Sequence, residues 1–372
     1  MIFVSKIYIT ILKKMSLEFK IGSTTVGINH PPYFIADIGA NHDGDLDRAF
    51  LLIELAKEAG AHAAKFQNFH AAKIVSKYGF ENLKTNATHQ IGWKKSVFEI
   101  YEDASINKNW TALLKQKCDK VGIEYFTSAY DFDSVDNVDA YVNVYKIGSG
   151  DITWPEILEY TAKKGKPIIL ATGAAAMEDV ERAMDKLSTI TSEIALLQCN
   201  TNYTTDKEKA KYVNLNVLKT FKKKYPDTLL GLSDHTIGQA TVVGSISLGA
   251  RIIEKHFTDD NERDGPDHKF AMNPENWRQM VENANEVFYA LGDGKKRIED
   301  NETSARIVQQ RCLRAACDLP VGTALKLEDV EALRPCPDDA LRPYELDEYV
   351  GHLLKNSMIR GEHFTKAKFS EE

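Results

Sequence analysis

The sequence predicts an α/β fold, a (β/α)8 TIM barrel followed by a small separate C-terminal domain. Two observations carry that expectation. Between residues 33 and 257, eight short apolar or β-branched runs recur, most of them followed by an amphipathic stretch. Strands alternating with helices imply a parallel sheet, and eight such units suffice to close a barrel. Past about residue 292 the rhythm stops and the chain turns charged and Gly-containing. An open doubly wound sheet is the alternative, but no Gly-x-Gly-x-x-Gly run follows the first strand.

Taken in order, the chain begins MIFVSKIYITILKK, apolar but broken by Lys6 and too short to span a bilayer. Residues 1–16 therefore read as an N-terminal extension ahead of a barrel over 17–291. The expected strands are YFIAD (33–37), HAAKFQNF (62–69), IEYFTS (123–128), VYKIGSG (144–150), PIILATG (167–173), IALLQCNTNY (194–203), LLGLSD (229–234) and ARIIEKHF (250–257). Helical patterns occupy 46–60, 110–122, 154–165, 177–187, 215–225 and 236–250, and Asn273 can cap a further helix whose first position is Pro274. The stretch 70–109 is too long for an ordinary connection. Its Tyr78, Phe80, Asn86 and Trp93 suit a loop reaching over the barrel mouth. LGDGKKRIEDNETSAR reads as a linker (292–308), and residues 309–372 as a small mixed-strand domain.

With 372 residues, 43% of them hydrophobic, the chain can bury a large core. Its net charge of −7 offers no global basic field, which argues against nucleic acid as a partner and means that an anionic substrate needs a locally basic pocket. Cys118, Cys199, Cys312, Cys317 and Cys336 are scattered, odd in number and free of any Cys-x-x-Cys pair. That points to a reducing, cytoplasmic setting and away from a zinc site. No segment has the length of a membrane helix, so no membrane partner is expected.

Barrel chemistry sits at the C-terminal ends of the strands. The expected ends bring Asp37; Lys65 and Gln67; Thr127 and Ser128; Lys146, Ser149 and Asp151; Thr172; Asn200, Thr201, Asn202 and Tyr203; Ser233, Asp234 and His235; and Glu254, Lys255 and His256. Singly, each has a plainer role: Ser, Thr and Asn cap helices and form turns, and a lone Lys snorkels to solvent. Eight segments converging on one rim are harder to explain that way. Lysines, hydroxyls and the amides of Gly148-Ser149-Gly150 suit a phosphate and a carboxylate. Two histidines on neighbouring strands, with oxygen donors and no thiolate pair, suit a divalent metal of the Mn2+ type with open positions. Together they point to electrophilic activation of a carbonyl beside a phosphorylated co-substrate.

In order along the chain, FIADIGANHDGD, AAKFQNF, YKIGSGD, ILATG, GLSDHT, IEKHFT and GPDHKFAMNP resemble the motifs of the sialic acid synthases. Arg334-Pro335 is similar to the corresponding pair in the family's small antifreeze-like (SAF) domain, and the resemblance spans about residues 17–370. It implies condensation of phosphoenolpyruvate with an open-chain N-acylated amino sugar such as N-acetylmannosamine, giving a nine-carbon keto acid and phosphate. It implies that His235 and His256 hold Mn2+ or Mg2+, and that Lys65, Lys146, Ser128, Ser149 and Ser233 bind phosphoenolpyruvate. Gln67, Tyr203 and Asp267 would meet the sugar, with Thr201 as a further substrate-binding candidate. Asp37 and Asp151 take the places of the family's two carboxylates, catalytic together with Lys65 and Lys146. Arg334 would come from the partner subunit of a domain-swapped homodimer.

The chain departs from the family pattern at Asp37 (usually Glu), Ala171 (usually Ser), Thr204 (usually Pro), Asp151 (Glu in many bacterial members) and Cys336 (often Gly). An active enzyme with an altered sugar pocket is the expectation. Acceptors carrying a 6-phosphate, or diacetamido hexoses of the legionaminic or pseudaminic type, are the alternatives within that chemistry. Outside it stand a metal-dependent hydrolase on the same barrel and a non-catalytic sugar-binding protein. His42 is expected to shape its turn, and His268 to sit on an acidic loop that closes over sugar.

Overall fold

The structure, a computed structural model, describes residues 17–83, 95–203 and 205–370. The chain divides into two compact units between Gly292 and Asp293. The first begins with an antiparallel hairpin that the sequence pattern does not announce, β1 (Glu18–Ile21) and β2 (Thr24–Gly27). Eight strands follow: β3 (Tyr33–Asp37), β4 (Ala63–Asn68), β5 (Glu124–Ala129), β6 (Tyr145–Ile147), β7 (Ile168–Ala171), β8 (Ile194–Cys199), β9 (Leu229–Asp234) and β10 (Ala250–His256). They form one sheet, with parallel pairing throughout, in the order β5-β4-β3-β10-β9-β8-β7-β6. Its end strands β5 and β6 touch without a hydrogen-bonded ladder, so the sheet is a nearly closed parallel barrel.

Both faces of the eight barrel strands are buried along nearly their whole length, as a parallel sheet wrapped in helices requires. Alternate residues separate into two cores. Phe34, Ala64, Tyr125, Leu170, Leu196, Leu232 and Ile253 pack outward against the helices. Tyr33, Ile35, Ala63, Phe126, Val144, Ile169, Leu197, Leu229 and Ile252 fill the interior, where Phe19, Ile21 and Val26 of the hairpin plug its N-terminal end. Ala171 belongs to this dry interior layer. Because side chains alternate strictly, the same inward rows continue upward to Asp37, Lys65 and Gln67, Ser128, Lys146, Cys199, Ser233, and Glu254 with His256.

The elements are locally specified. Asp45 caps the helix Leu46–Glu58 by accepting from the amides of Asp47 and Arg48, and Asn273 caps Pro274–Ala290. The helix Phe132–Asp139, capped by Asp131, goes unforeseen because only Phe132, Val135 and Val138 mark its apolar stripe. Two of the expected strands are cut short at functional ends: Gly148 ends the run at 144–150, with Ser149–Asp151 forming a 3-10 turn, and Asn200–Tyr203 follow β8 as irregular chain. The long connection after β4 is not a plain loop but contains the helices Ala71–Ile74, Lys77–Glu81 and Val97–Ala104. Asn86, Trp93, Thr204 and the extension 1–16 lie outside the described residues.

The second unit contains the helix Thr303–Gln309, inside the stretch expected as linker, and an antiparallel pair, β11 (Cys312–Ala315) and β12 (Val330–Leu333). Isolated bridges such as Leu319–Met358 and Leu354–Phe369 surround a core that includes Leu313, Leu325, Leu341 and Phe364. Among the described residues no helix is long and apolar enough to cross a membrane.

Gly231 in β9 shows how tightly the interior layer is packed. A Cβ there would lie 2.2 Å from Leu197 Cδ2 and 2.3 Å from the Ile252 carbonyl oxygen. Overpacking a filled core costs about 1–3 kcal/mol, so Gly231→Ala is expected to lower the urea midpoint by at least that equivalent. An unchanged midpoint would mean that β8 and β10 part freely.

Candidate active site

At the C-terminal end of the barrel lies a cavity of about 470 Å3. Its floor is made by the inward rows of the strands. Its far wall comes from the connection after β4, through Phe69, Ile74, Val75, Phe80, Ile100 and Tyr101.

The floor is a buried network of charges. Lys65 Nζ lies 2.8 Å from Asp37 Oδ2 and 3.9 Å from Glu254 Oε2. Lys146 Nζ lies 3.1 Å from Glu254 Oε1, which also accepts from the Ser233 hydroxyl at 3.0 Å. All four ionised groups are under 7% exposed. Burial alone would raise the Glu254 carboxyl, but Lys146 and Lys65 together hold it far below the usual carboxylate range. At Asp37 burial dominates and pushes the carboxyl up against the pull of Lys65. Burial opposes the charge on Lys65 too, yet Asp37 and Glu254 outweigh it and raise its ammonium. Asp37 Oδ1 and Glu254 Oε2 are buried with no hydrogen-bond partner. Unpaired buried acceptors are expensive, so the network is completed by something it binds.

Beside it stand His235 and His256, with ring centroids 5.4 Å apart. His235 Nδ1 lies 3.0 Å from the Asn200 carbonyl, a contact that orients the ring. His256 is neutral, since burial lowers its pKa to about 4. Its Nε2 lies 3.6 Å from Asp37 Oδ2, its Nδ1 3.6 Å from Asp267 Oδ2, and Nδ1 has no hydrogen-bond partner. A neutral imidazole with an orphaned nitrogen, a second imidazole beside it and a nearby carboxylate fit a divalent cation of intermediate hardness. Among the described residues no group of three or more His, Cys, Asp and Glu side chains converges on a common ion position. Water or substrate would therefore complete the coordination. Tyr203 meets His235 edge-on at 4.5 Å, and Phe270 meets His256 at 5.0 Å, so the imidazoles are walled by aromatic rings.

Outside the barrel wall the strand residues between these groups do different work. Lys255, expected at the rim, points away from the cavity and pairs with Asp234, both under 2% exposed. Asp234 also accepts from Thr236 and Thr241, which ties the ends of β9 and β10 together on either side of the histidines. Just after β7, Gly173 donates its amide to Ser149 Oγ at 2.8 Å. A Cβ on Gly173 would fall 1.8 Å from Thr201 Oγ1, so the close approach of three strand ends demands glycine.

Of the residues singled out in the sequence, Asp37, Lys65, Gln67, Lys146, Ser149, Asp151, Thr201, Tyr203, Ser233, His235, His256 and Asp267 all line this cavity. Ser128 occupies an inward position beside Gln67, is not part of the lining, and is buried without a partner for its hydroxyl. Arg334 belongs to the second unit. His268 is fully buried and is not part of the lining, while His42 accepts from the Gly44 amide and shapes its turn. Glu254 was visible only as one of several polar residues at a strand end. The signal that distinguishes it is parity, because 254 and 256 share a face and 255 does not. Tyr101 and Tyr130 also line the cavity; no motif points to Tyr101.

Fold and site together define a barrel enzyme whose pocket combines an anion cradle with a pair of open imidazoles. The model of the NeuB family matches residues 52–296, and that of the SAF domain residues 310–370. The N,N'-diacetyllegionaminic acid synthase of Legionella pneumophila is 32% identical over 337 residues, covering 88% of this chain and 92% of that one. The N-acetylneuraminate-9-phosphate synthase of Homo sapiens is 31% identical over 304 residues, 82% of this chain and 83% of the other. A solved structure, the sialic acid synthetase of Leptospira borgpetersenii in complex with citrate, matches with a TM-score of 0.68 at 29% identity, covering 78% of this chain and 95% of that one. The chain belongs to the NeuB family and carries a C-terminal SAF domain.

Glu254 is the anion that allows two ammonium groups to share one floor. Removing one partner from a buried ionic network costs about 3–5 kcal/mol. Glu254→Ala is expected to lower the urea midpoint accordingly, and inorganic phosphate to restore part of the loss by replacing the missing anion. A midpoint indifferent to both changes would show that the lysines are not coupled through Glu254.

Proposed function

We propose that this protein is a nonulosonic acid synthase that condenses phosphoenolpyruvate with the open-chain form of an N-acylated amino sugar. N-Acetylmannosamine is the reference acceptor. The observation that carries the reading is the convergence of Lys65 and Lys146 on Glu254, beside His235 and His256, in one cavity. Its family relatives of known name make acids of this class, which supports the same chemistry here.

In this reading Lys65, Lys146, Ser149 and Ser233 take the phosphate and carboxylate of phosphoenolpyruvate, adding charge-assisted hydrogen bonds to those already made with Glu254. His235 and His256 would hold Mn2+ or Mg2+, which supplies polarisation of the sugar aldehyde when bound. Gln67, Thr201, Tyr203 and Asp267 orient the acceptor so that its aldehyde carbon faces the enol carbon. Much of the rate comes from that alignment. When the new carbon–carbon bond forms, positive charge develops at C2 of the former enol phosphate. Water adds there, its proton passes to a carboxylate, and phosphate leaves to give the keto acid. Asp151 suits the proton transfer: burial raises its carboxyl to about 6, with Lys146 opposing, close to where a base works best near neutrality. Asp37 lies against Lys65 and His256 and serves water activation or sugar positioning. Arg334, from a domain-swapped partner subunit, would complete the acyl-group contact, and the enzyme would work in the cytoplasm.

The test is a panel in which phosphoenolpyruvate and Mn2+ are incubated with N-acetylmannosamine, its 6-phosphate or a 2,4-diacetamido hexose. Phosphate release and a keto acid of matching mass are expected with one acceptor and absent after EDTA. Failure with all three, or turnover without phosphoenolpyruvate, overturns the reading, and the latter outcome would favour a metal-dependent hydrolase.

The Asp151 carboxyl is protonated below about pH 6 and ionised above it. As a proton acceptor it makes the rate rise through that range. Asp151→Asn is expected to remove this acidic limb from the profile of kcat/KM while lowering its plateau. A limb unchanged in the variant assigns it to another group.

A further inference from the structure

We propose that Asp43 and His268, outside the cavity, form a clamp that sets the position of Asp267 and thereby the affinity for the amino sugar; this rests on the reading of Asp267 as a sugar contact.

Asp267 has few direct restraints. Its Oδ2 lies 3.5 Å from the Ala40 amide and 3.6 Å from His256 Nδ1, both long. It also presses on Gly39, where a Cβ would sit 2.9 Å from the same oxygen. The place of the carboxylate is therefore set by the backbone of the loop that follows β10. Adjacent His268 is fully buried and held at both ring edges, Nε2 lying 2.9 Å from Asp43 Oδ1 and Nδ1 2.7 Å from Thr258 Oγ1. Gly265 packs on that ring so closely that a Cβ would fall 2.6 Å from it.

Asp43 stands on the opposite loop, the one that follows β3 and carries the Ala40 amide. Its Oδ2 meets Arg48 Nε at 3.0 Å and Arg263 Nε at 3.1 Å. Arg48 in turn reaches both carboxylate oxygens of Asp259 and the Asn41 carbonyl, and Asn41 donates to the Phe257 carbonyl at 3.0 Å. Four of these links, His268–Asp43, Arg263–Asp43, Arg48–Asp259 and Asn41–Phe257, run between the segment after β3 and the segment after β10. The backbone of Asp43 has φ +52°, in the left-handed region, which costs about 1–2 kcal/mol for a residue with a Cβ. Such strain persists where the surroundings over-determine it. A histidine, two arginines and a carboxylate that never touch the cavity are thus spent on registering one loop against the other.

Asp43→Gly keeps the left-handed backbone and deletes the carboxylate, while Asp43→Asn tolerates the same φ and retains an oxygen for His268. His268→Asn breaks the clamp from the other loop. With the acceptor identified by the panel, Asp43→Gly and His268→Asn are expected to raise the acceptor KM by about ten-fold and to leave the phosphoenolpyruvate KM within about two-fold. Asp43→Asn should recover most of the loss. Asp267→Asn is run alongside: if it leaves the acceptor KM unchanged, the sugar-contact reading itself is wrong. If it raises that KM while Asp43→Gly and His268→Asn do not, the clamp is wrong. A lower melting temperature with no split between the two KM values reduces the pair to a structural role and also overturns the proposal.

Discussion

The site depends on burying two lysines at the bottom of a barrel. Lys65 and Lys146 are 1% and 6% exposed, and an ammonium so placed needs an anion in contact. Glu254 supplies it to both, and Asp37 gives Lys65 a second. The four charges cancel, so the floor persists without ligand, yet one oxygen of each carboxylate stays without a hydrogen-bond partner. A floor that is neutral and under-bonded can take in an anion without first expelling one of its own.

The rest of the barrel serves this arrangement. The hairpin ahead of β3 plugs the lower end, and the layer of Ile35, Phe126, Ile169, Leu197 and Ile252 keeps the space under the charges dry. Dryness strengthens each ion pair and makes geometry decisive. Behind the wall, the Lys255–Asp234 pair does for the strand ends what Glu254 does for the floor, fixing β9 to β10 so that the two imidazoles face one another. Two buried ionic systems thus meet at β10, where side-chain parity sends Glu254 to the floor and Lys255 to the other face.

That parity explains both what the sequence disclosed and what it hid. Runs such as YFIAD and LLGLSD are strand from end to end, because a strand buried on both faces has no competing pattern. Their ends could be read as a polar rim, and twelve of the fourteen residues to which the resemblance gave site roles share the cavity. Which rim residue faces in was harder. Lys255 and Glu254 look alike in a sequence, and only the register from Ile252 decides between them. Ser128 faces inward yet is not among the residues that line the cavity. The helix Phe132–Asp139 and the helices after β4 were illegible for another reason. They are too short for periodicity to register, and packing supplies most of their stability. Arg334 was named through resemblance alone, and its place lies in the second unit.

Electrostatics also constrains what the pocket can hold at one time. The floor is neutral, while Asp151 and Asp267 add carboxylates at the cavity wall. A polyanion such as phosphoenolpyruvate entering alone would leave an excess of negative charge in a poorly hydrated space. Two responses are available within the structure. Burial already pushes the Asp37 carboxyl toward its neutral form, so it can take up a proton as the anion arrives. A divalent cation at the imidazoles would offset two charges more, and Asp37 lies within 4 Å of both Lys65 Nζ and His256 Nε2. The short carboxylate at position 37 therefore stands between the anion cradle and the imidazole pair. Its single methylene keeps it against Lys65, and a longer acid anchored at the same strand end would reach further toward the acceptor. Among the described residues, Asp37 is thus the one carboxylate in contact with both the lysine floor and the imidazole pair.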